Sequence, residues 1–346
     1  MFNPQTLLEL AQRHEKGLGR LAQVEARLNQ RFIEFEEPVR ALVLSLLSGE
    51  PLLLVGPPGT AKSRLIRALC ELLGLLDPRN RTQAGEYFEY LLTPFTEPGE
   101  LFGFYDVGKA MREQRLQRDE EGMMQRARVV YLDEVFNGSS AILNSILTFL
   151  NERIFHDRGR RREVAMEVLF ASTNEVPQSA ELQAVFDRFL LRSHVHNVLA
   201  RPQPVGRLLE AGWVETYSHH EEAGAFSGLL EEVKALRQDI ASATDEGRLR
   251  PRREHGYYRH LAQFVEDARE YGLSQISNRR LVKMSYIMLL HRIYEAVSEG
   301  GLEESKGLNL RARELSLFYR YFLDFPDAER AKTMQRAAAR WNPEGS

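Results

Sequence analysis

One cysteine, Cys70, is all that the 346 residues contain. That excludes an intramolecular disulfide and any zinc site built on several thiolates, and it leaves Cys70 as a core-filling side chain. Net charge is scarce too. Lys and Arg number 46 and Asp and Glu 49, a balance of 46 − 49 = −3, so no global positive field marks a nucleic-acid binder. No window approaches the roughly 20 consecutive apolar residues that span a bilayer. The start, Met1-Phe2-Asn3-Pro4-Gln5, has neither the basic residues nor the apolar stretch of a leader. These absences point to a soluble, cytoplasmic protein with no membrane insertion, and the length allows two domains.

What the chain does have is a segment around which the rest is organised. Leu52-Leu53-Leu54-Val55 reads as a buried strand that stops at Gly56-Pro57-Pro58-Gly59-Thr60-Ala61-Lys62-Ser63, since proline cannot continue a central ladder. Helical apolar spacing then begins, at Leu65, Ile66, Leu69 and Leu72. Strand, glycine-bearing loop, Lys-Ser, helix is the layout of a phosphate-binding loop, whose backbone N–H groups and helix N-terminus cradle a polyphosphate. Lys62 would reach the terminal phosphates and the Ser63 hydroxyl would ligate Mg²⁺. Position 61 departs from the strict glycine. Alanine avoids positive φ, so the expectation is an Ala61 already in the first helical turn.

Before the loop, residues 4 to 30 carry an amphipathic pattern with an expected break near Gly17 and Gly19, and Pro38 to Leu47 reads as a further helix that could cover an adenine base. After it, Asp77-Pro78-Arg79-Asn80 is a loop and Tyr87 to Leu92 a second strand. Thr93 to Arg126 is punctuated by Gly and Pro and then charged, which reads as a surface insertion, either a solvated loop or an element that transmits nucleotide state. Arg128 to Leu132 is a buried strand delivered into Asp133-Glu134. Two acids at such a strand end need a cation, and ligands of open α/β sheets bind there. Asp133 would orient Mg²⁺, and Glu134, pointing the other way, would polarise an attacking water. The helix Ala141 to Glu152 precedes a β-hairpin over about 154–166, with Arg158-Gly159-Arg160-Arg161-Arg162 as a basic tip and His156 as an incidental neighbour. Val168 to Thr173 ends in Asn174, whose amide could hold the water or the γ-phosphate. A last strand is expected over Ser193 to Val198. From Arg201 the pattern is helical, with loops near Asp245 to His255 and Ser298 to Gly307. His219-His220 lacks Cys or Glu at metal spacing and reads as a solvated pair, and the tail after Met334 as frayed.

Together these elements resemble the AAA+ ATPase family: phosphate loop, acidic strand end, asparagine strand end, an arginine before the last strand, then an all-helical lid. The loop with alanine at 61 is similar to the MoxR branch. Leu132-Asp133-Glu134-Val135, Ala141-Ile142-Leu143-Asn144 and Asn151-Glu152-Arg153 resemble its RavA-like members. The resemblance implies an α/β P-loop core with a parallel five-stranded sheet over residues 1–200, a helical lid over 201–332 and a frayed tail over 333–346. It implies ATP and Mg²⁺ as ligands and ATP hydrolysis coupled to remodelling or maturing a protein partner. It also assigns roles that spacing could not: Asn174 as sensor 1, Arg188 of Phe186-Asp187-Arg188-Phe189 as an arginine finger, and Arg279 of Ser277-Asn278-Arg279-Arg280 as sensor 2. A finger acts on a neighbouring subunit, so a ring, commonly a hexamer, follows, with Arg192 and Arg153 as substitute fingers. Insertion and hairpin would face the ring's central surface. Relatives commonly work with a von Willebrand factor A domain protein. A ring motor acting on nucleic acid, suggested by the basic tip, and a non-hydrolysing nucleotide switch are the competing readings.

Overall fold

A computed structural model describes residues 2–77, 85–106, 111, 118–157, 160–217, 222–251, 257–300, 302 and 306–324. Helices α1 (Pro4–Arg13), α2 (Glu15–Arg31) and α3 (Glu36–Ser48) precede β1 (Leu52–Val55) and α4 (Lys62–Leu72). Next come β2 (Tyr87–Leu91), the short α5 (Pro98–Phe102), β3 (Val129–Asp133), α6 (Ser140–Glu152), β4 (Ile154–Asp157), β5 (Arg160–Glu163), β6 (Val168–Thr173), α7 (Ala180–Phe186) and β7 (Leu191–His194). The remainder is helical: α8 (Pro202–Tyr217), α9 (Leu229–Asp245), α10 (Tyr257–Glu270), α11 (Asn278–Ser298) and α12 (Ala312–Tyr321).

Five strands form one sheet in the order β2-β3-β6-β1-β7, and every pairing is parallel. Parallel strands covered on both faces favour apolar residues at every position, which is why β1 and Val168 to Ala171 of β6 read as unbroken apolar runs. Alternate side chains divide the core. Leu52, Leu54, Val129, Tyr131, Val168 and Phe170 join one buried cluster with residues of α1 to α4 and α9 to α12. Leu53, Val55, Val130, Leu132, Leu169 and Ala171 join the other, with residues of α5, α6 and the hairpin. The helices before the loop thus pack on α9 and α11 over one face of the sheet, and Cys70 is buried among them.

Several expectations change. Gly17 and Gly19 lie inside α2, and the break falls at His14 instead. Packing decides this: Leu18, Leu21, Val24 and Leu28 bury one stripe of α2, and a Cβ on Gly17 would stand 2.9 Å from the Glu232 carboxylate of α9. Glycine there lets two helices approach. The last strand is β7 at Leu191–His194 rather than 193–198, because it pairs with β1 from Leu52↔Leu191 to Val55↔His194 and β1 ends at the loop. The insertion is not all surface. Leu101, Phe102 and Met124 are buried, and the Phe102 ring stacks 4.8 Å from Phe155 of β4. In the hairpin, Arg160 to Arg162 belong to strand β5, not to a turn, and Arg162 forms an ion pair with Glu120 of the insertion. Arg158 and Gly159 at its tip lie outside the described residues, as do His219, His220, Pro78 to Asn80, much of the charged run after Lys109 and the tail after 324.

An ion network joins the leading helices to α11. Arg40 of α3 donates to Glu25 of α2 at 2.7 Å and to Glu295 of α11 at 2.6 Å, and the Tyr294 hydroxyl donates to Glu25. Burial alone would raise the Glu295 carboxyl, but the hydrogen bond from Arg313, the charge of His291 and the bond from Arg40 outweigh it and bring it down to about 2. A depressed folded-state value means stability that is fully present above the unfolded glutamate pKa and is lost as pH falls toward the folded one. Acid titration of thermal stability should show this loss between roughly pH 5 and pH 2. Glu295→Gln should flatten that part of the profile.

Candidate active site

The loop leaves β1 at Gly56, whose amide donates to Thr173 O at 3.1 Å on the adjacent strand. A Cβ there would lie 2.2 Å from Val195 O, so glycine is what lets the loop pass beside the end of β7. Thr60 Oγ1 donates to Pro57 O at 2.8 Å and closes the loop on itself. Gly59, at φ +80°, has open space where a Cβ would project, so the outer side of the loop is clear for a ligand. Ala61 corrects the expectation of a helical angle. It sits at φ 61°, ψ 21°, left-handed, as the N-cap of α4, and its carbonyl accepts Leu65 N at 2.9 Å. The chain must reverse hand to pass from loop to helix at this residue, and alanine sustains that at a cost of about 1–2 kcal/mol.

Lys62 is the first residue of α4, only 6% exposed. Its Nζ donates to Gly56 O at 2.6 Å, Pro57 O at 3.0 Å and Asn174 Oδ1 at 3.3 Å. Burial lowers its pKa, against the opposing charges of Asp133 and Glu134. Ser63 Oγ donates to Asp133 Oδ2 at 3.0 Å. The other oxygen, Oδ1, accepts the Ser172 hydroxyl and the Glu134 amide, the latter at 3.1 Å. Tyr131 OH completes the array, 2.9 Å from Ser172 Oγ and 3.2 Å from Ser63 Oγ. Glu134 is left-handed, φ 52° and ψ 49°, and starts a short turn at Val135–Asn137. Its carboxyl pKa is raised by burial and then by Asp133, while Lys62 and the Asn174 backbone amide restrain the rise.

The sheet therefore gathers Lys62, Ser63, Asp133, Glu134 and Asn174 at the carboxyl ends of β1, β3 and β6. A hydroxyl and a carboxylate already in contact are the hard oxygen donors that suit Mg²⁺. A buried ammonium beside an open loop suits phosphate, and both fit a Mg²⁺–nucleoside triphosphate.

A family profile described as the MoxR domain in the MoxR-vWA-beta-propeller ternary systems matches residues 19–238. The chain belongs to the MoxR family. Two uncharacterized proteins of Methanocaldococcus jannaschii are each 36% identical, over 178 and 181 residues, which are 51% and 52% of this chain and 45% of theirs. A structural protein of Acidianus two-tailed virus is 27% identical over 159 residues, 46% of this chain and 25% of its own. This MoxR-family chain thus spans less than half the length of those curated relatives. Among solved structures, a protein from Cytophaga hutchinsonii described as a candidate ATPase aligns over 96% of both chains with a TM-score of 0.63 and 14% identity, a likeness of fold.

The arginines of this MoxR chain separate by burial. Arg192 is 1% exposed and bonded to Phe186 O and Phe189 O. Arg153, left-handed at the end of α6, donates to Met166 O and Gly49 O. Both guanidinium groups are thus engaged by carbonyls of this chain. Arg188 has no ion pair among the described residues, and its Nε is buried without a partner. Arg279 is exposed in the first turn of α11, whereas Arg280 points inward to Ser274, Asp324 and Phe322 O. Lys62 through Asn174 form one cluster; no described hydrogen bond joins Arg188 to it. Sequence reasoning overlooked Tyr131 and Ser172. Their signal was present: each is a hydroxyl on a mainly apolar strand, and Tyr131 stands two residues before Asp133, on the same face of β3.

Ala61→Gly should keep nucleotide binding and leave the urea midpoint unchanged or higher, since relief of the left-handed angle offsets about 0.4–1 kcal/mol of added chain entropy. Ala61→Val should lower the midpoint and weaken binding of a fluorescent ATP analogue, because a β-branched residue resists positive φ more strongly.

Proposed function

We propose that this chain hydrolyses ATP in a Mg²⁺-dependent reaction at the cluster just described. The single observation that carries the reading is the convergence of Lys62, the Ser63–Asp133 pair, Glu134 and Asn174 at three neighbouring strand ends. The backbone of Gly56, Pro57, Pro58, Gly59, Thr60 and Ala61 wraps the phosphates, and Lys62 exchanges its loop carbonyls for phosphate oxygens. Ser63 and Asp133 hold Mg²⁺, which when bound neutralises phosphate charge. Tyr131 and Ser172 fix the Asp133 rotamer. Glu134, with its proton affinity raised by burial, accepts the proton of the attacking water, and Asn174 orients that water. Arg188 of one subunit meets the nucleotide of the next in a ring, as a hexamer, and Arg279 approaches from the helical side.

Residues 1–200 act in this reading as the AAA+ core and 201–332 as the lid. Turnover drives remodelling or maturation of a protein partner. The family description favours a von Willebrand factor A domain protein, with a β-propeller protein as third member. A RavA-like place within the family rests on the resemblance of Leu132 to Val135, Ala141 to Asn144 and Asn151 to Arg153 alone. The nucleic-acid reading loses support because Arg162 is engaged by Glu120.

Glu134→Gln should keep ATP binding and lower kcat by about 10²-fold or more; parental turnover in that variant would remove Glu134 from the mechanism. Arg188→Ala and Lys62→Ala, each inactive alone, should regain activity when mixed, since an intact loop then meets an intact finger. No recovery in rings shown by mass to be mixed would argue against action in trans.

A further inference from the structure

Arg192 is among the largest fully buried side chains of the described chain, and its contacts converge on one turn. The guanidinium carbon lies 3.8 Å from the centroid of the Phe186 ring. Nε donates to Phe189 O at 3.1 Å and Nη2 to Phe186 O at 3.0 Å. Those two carbonyls bracket Asp187 and Arg188. The same guanidinium forms an ion pair with Asp324, just beyond α12. Arg280 of α11 shares that carboxylate at 3.0 Å and also meets Asp187 at 3.4 Å. From the other side, the Phe136 ring, two residues after Glu134, packs against Phe186 and Phe189 at 6.2 and 6.4 Å.

Two guanidinium groups buried around one shared carboxylate are a poor way to gain stability, because desolvation offsets most of their attraction and an apolar residue of similar size would serve as well. What an apolar residue lacks is a planar fork that grips two carbonyls at fixed angles. The backbone so gripped is the one that carries Arg188.

We propose that Arg192 is a positioning residue that acts through Arg188: it sets the direction in which Arg188 leaves the 186–189 turn, and Asp324 ties that turn to α11, the helix whose first turn carries Arg279. The inference rests on the reading of Arg188 as the residue that serves a neighbouring subunit. A misplacement of about 1 Å at such a residue is enough to lower turnover by up to 10²-fold.

The test mixes subunits of the full chain. Arg192→Met should lower ATP turnover about tenfold or more while affinity for a fluorescent ATP analogue stays unchanged. Arg192→Lys, which keeps the buried charge but not the fork, should lose part of the activity, and it carries the test if the methionine variant does not fold. Addition of Lys62→Ala subunits should restore turnover to Arg192→Met, because those subunits bring an intact turn to the neighbour's site. Addition of Arg188→Ala subunits should not. A merely structural role predicts otherwise: β7 pairs directly with β1, Leu53↔Arg192, so damage would reach the variant's own loop, weaken analogue binding and resist rescue by Lys62→Ala. That outcome, or unchanged turnover in both Arg192 variants, would overturn the proposal. If instead Arg188→Ala itself is not rescued by Lys62→Ala, the reading of Arg188 fails and the proposal falls with it.

Discussion

Parallel register sets the height at which β1, β3 and β6 stop, and the site depends on that one alignment. Val55 lies opposite Thr173, and Leu132 opposite Ala171, so Gly56 emerges beside Asn174 and Asp133 beside Ser172 at the carboxyl end of the sheet. A shift of one residue in any of these ladders would turn every side chain to the other face and send Asp133 away from Ser63. The apolar pressure on both faces of the sheet therefore holds the polar cluster in place. Hydrogen bonds from Tyr131 and Ser172 then refine the carboxylate once the strands have brought it there.

Two left-handed residues, Ala61 and Glu134, stand at this edge, each where a strand end gives way to a helix or short helical turn. Such angles persist in non-glycine residues only when the surroundings determine them more strongly than local preference does. At Ala61 the surroundings are the loop closed by Thr60 and the first turn of α4. At Glu134 they are the hydrogen bond that its backbone N–H donates to the Asp133 carboxylate and the packing of Phe136, in the Val135–Asn137 turn, on the rings of Phe186 and Phe189. The same rings lead on to Arg192, so the acidic strand end and the turn bearing Arg188 share one packed layer.

On the far side, insertion and hairpin are joined more closely than their charged composition suggests. Phe102 stacks on Phe155, and Glu120, which also pairs with Arg126, accepts Arg162. A basic run that reads as solvated is in part an internal strut. Local charge says little about whether a long arginine finds a carboxylate across a gap in sequence.

The sequence by itself determined the sheet strands other than β7, the phosphate-type loop, the acidic and amide strand ends and the family resemblance, because each is written in contiguous residues whose apolar period or turn chemistry acts locally. Only the tertiary structure decided which arginines are bonded within the chain. Arg153, Arg188 and Arg192 look equivalent in the chain, yet two of them close hydrogen bonds to carbonyls of their own subunit. It likewise decided the hand of Ala61, the position of the helix break at His14 and the partnership of Tyr131 and Ser172 with Asp133. Each of these follows from what lies opposite in space, and contacts between segments tens of residues apart leave no periodic trace in either one.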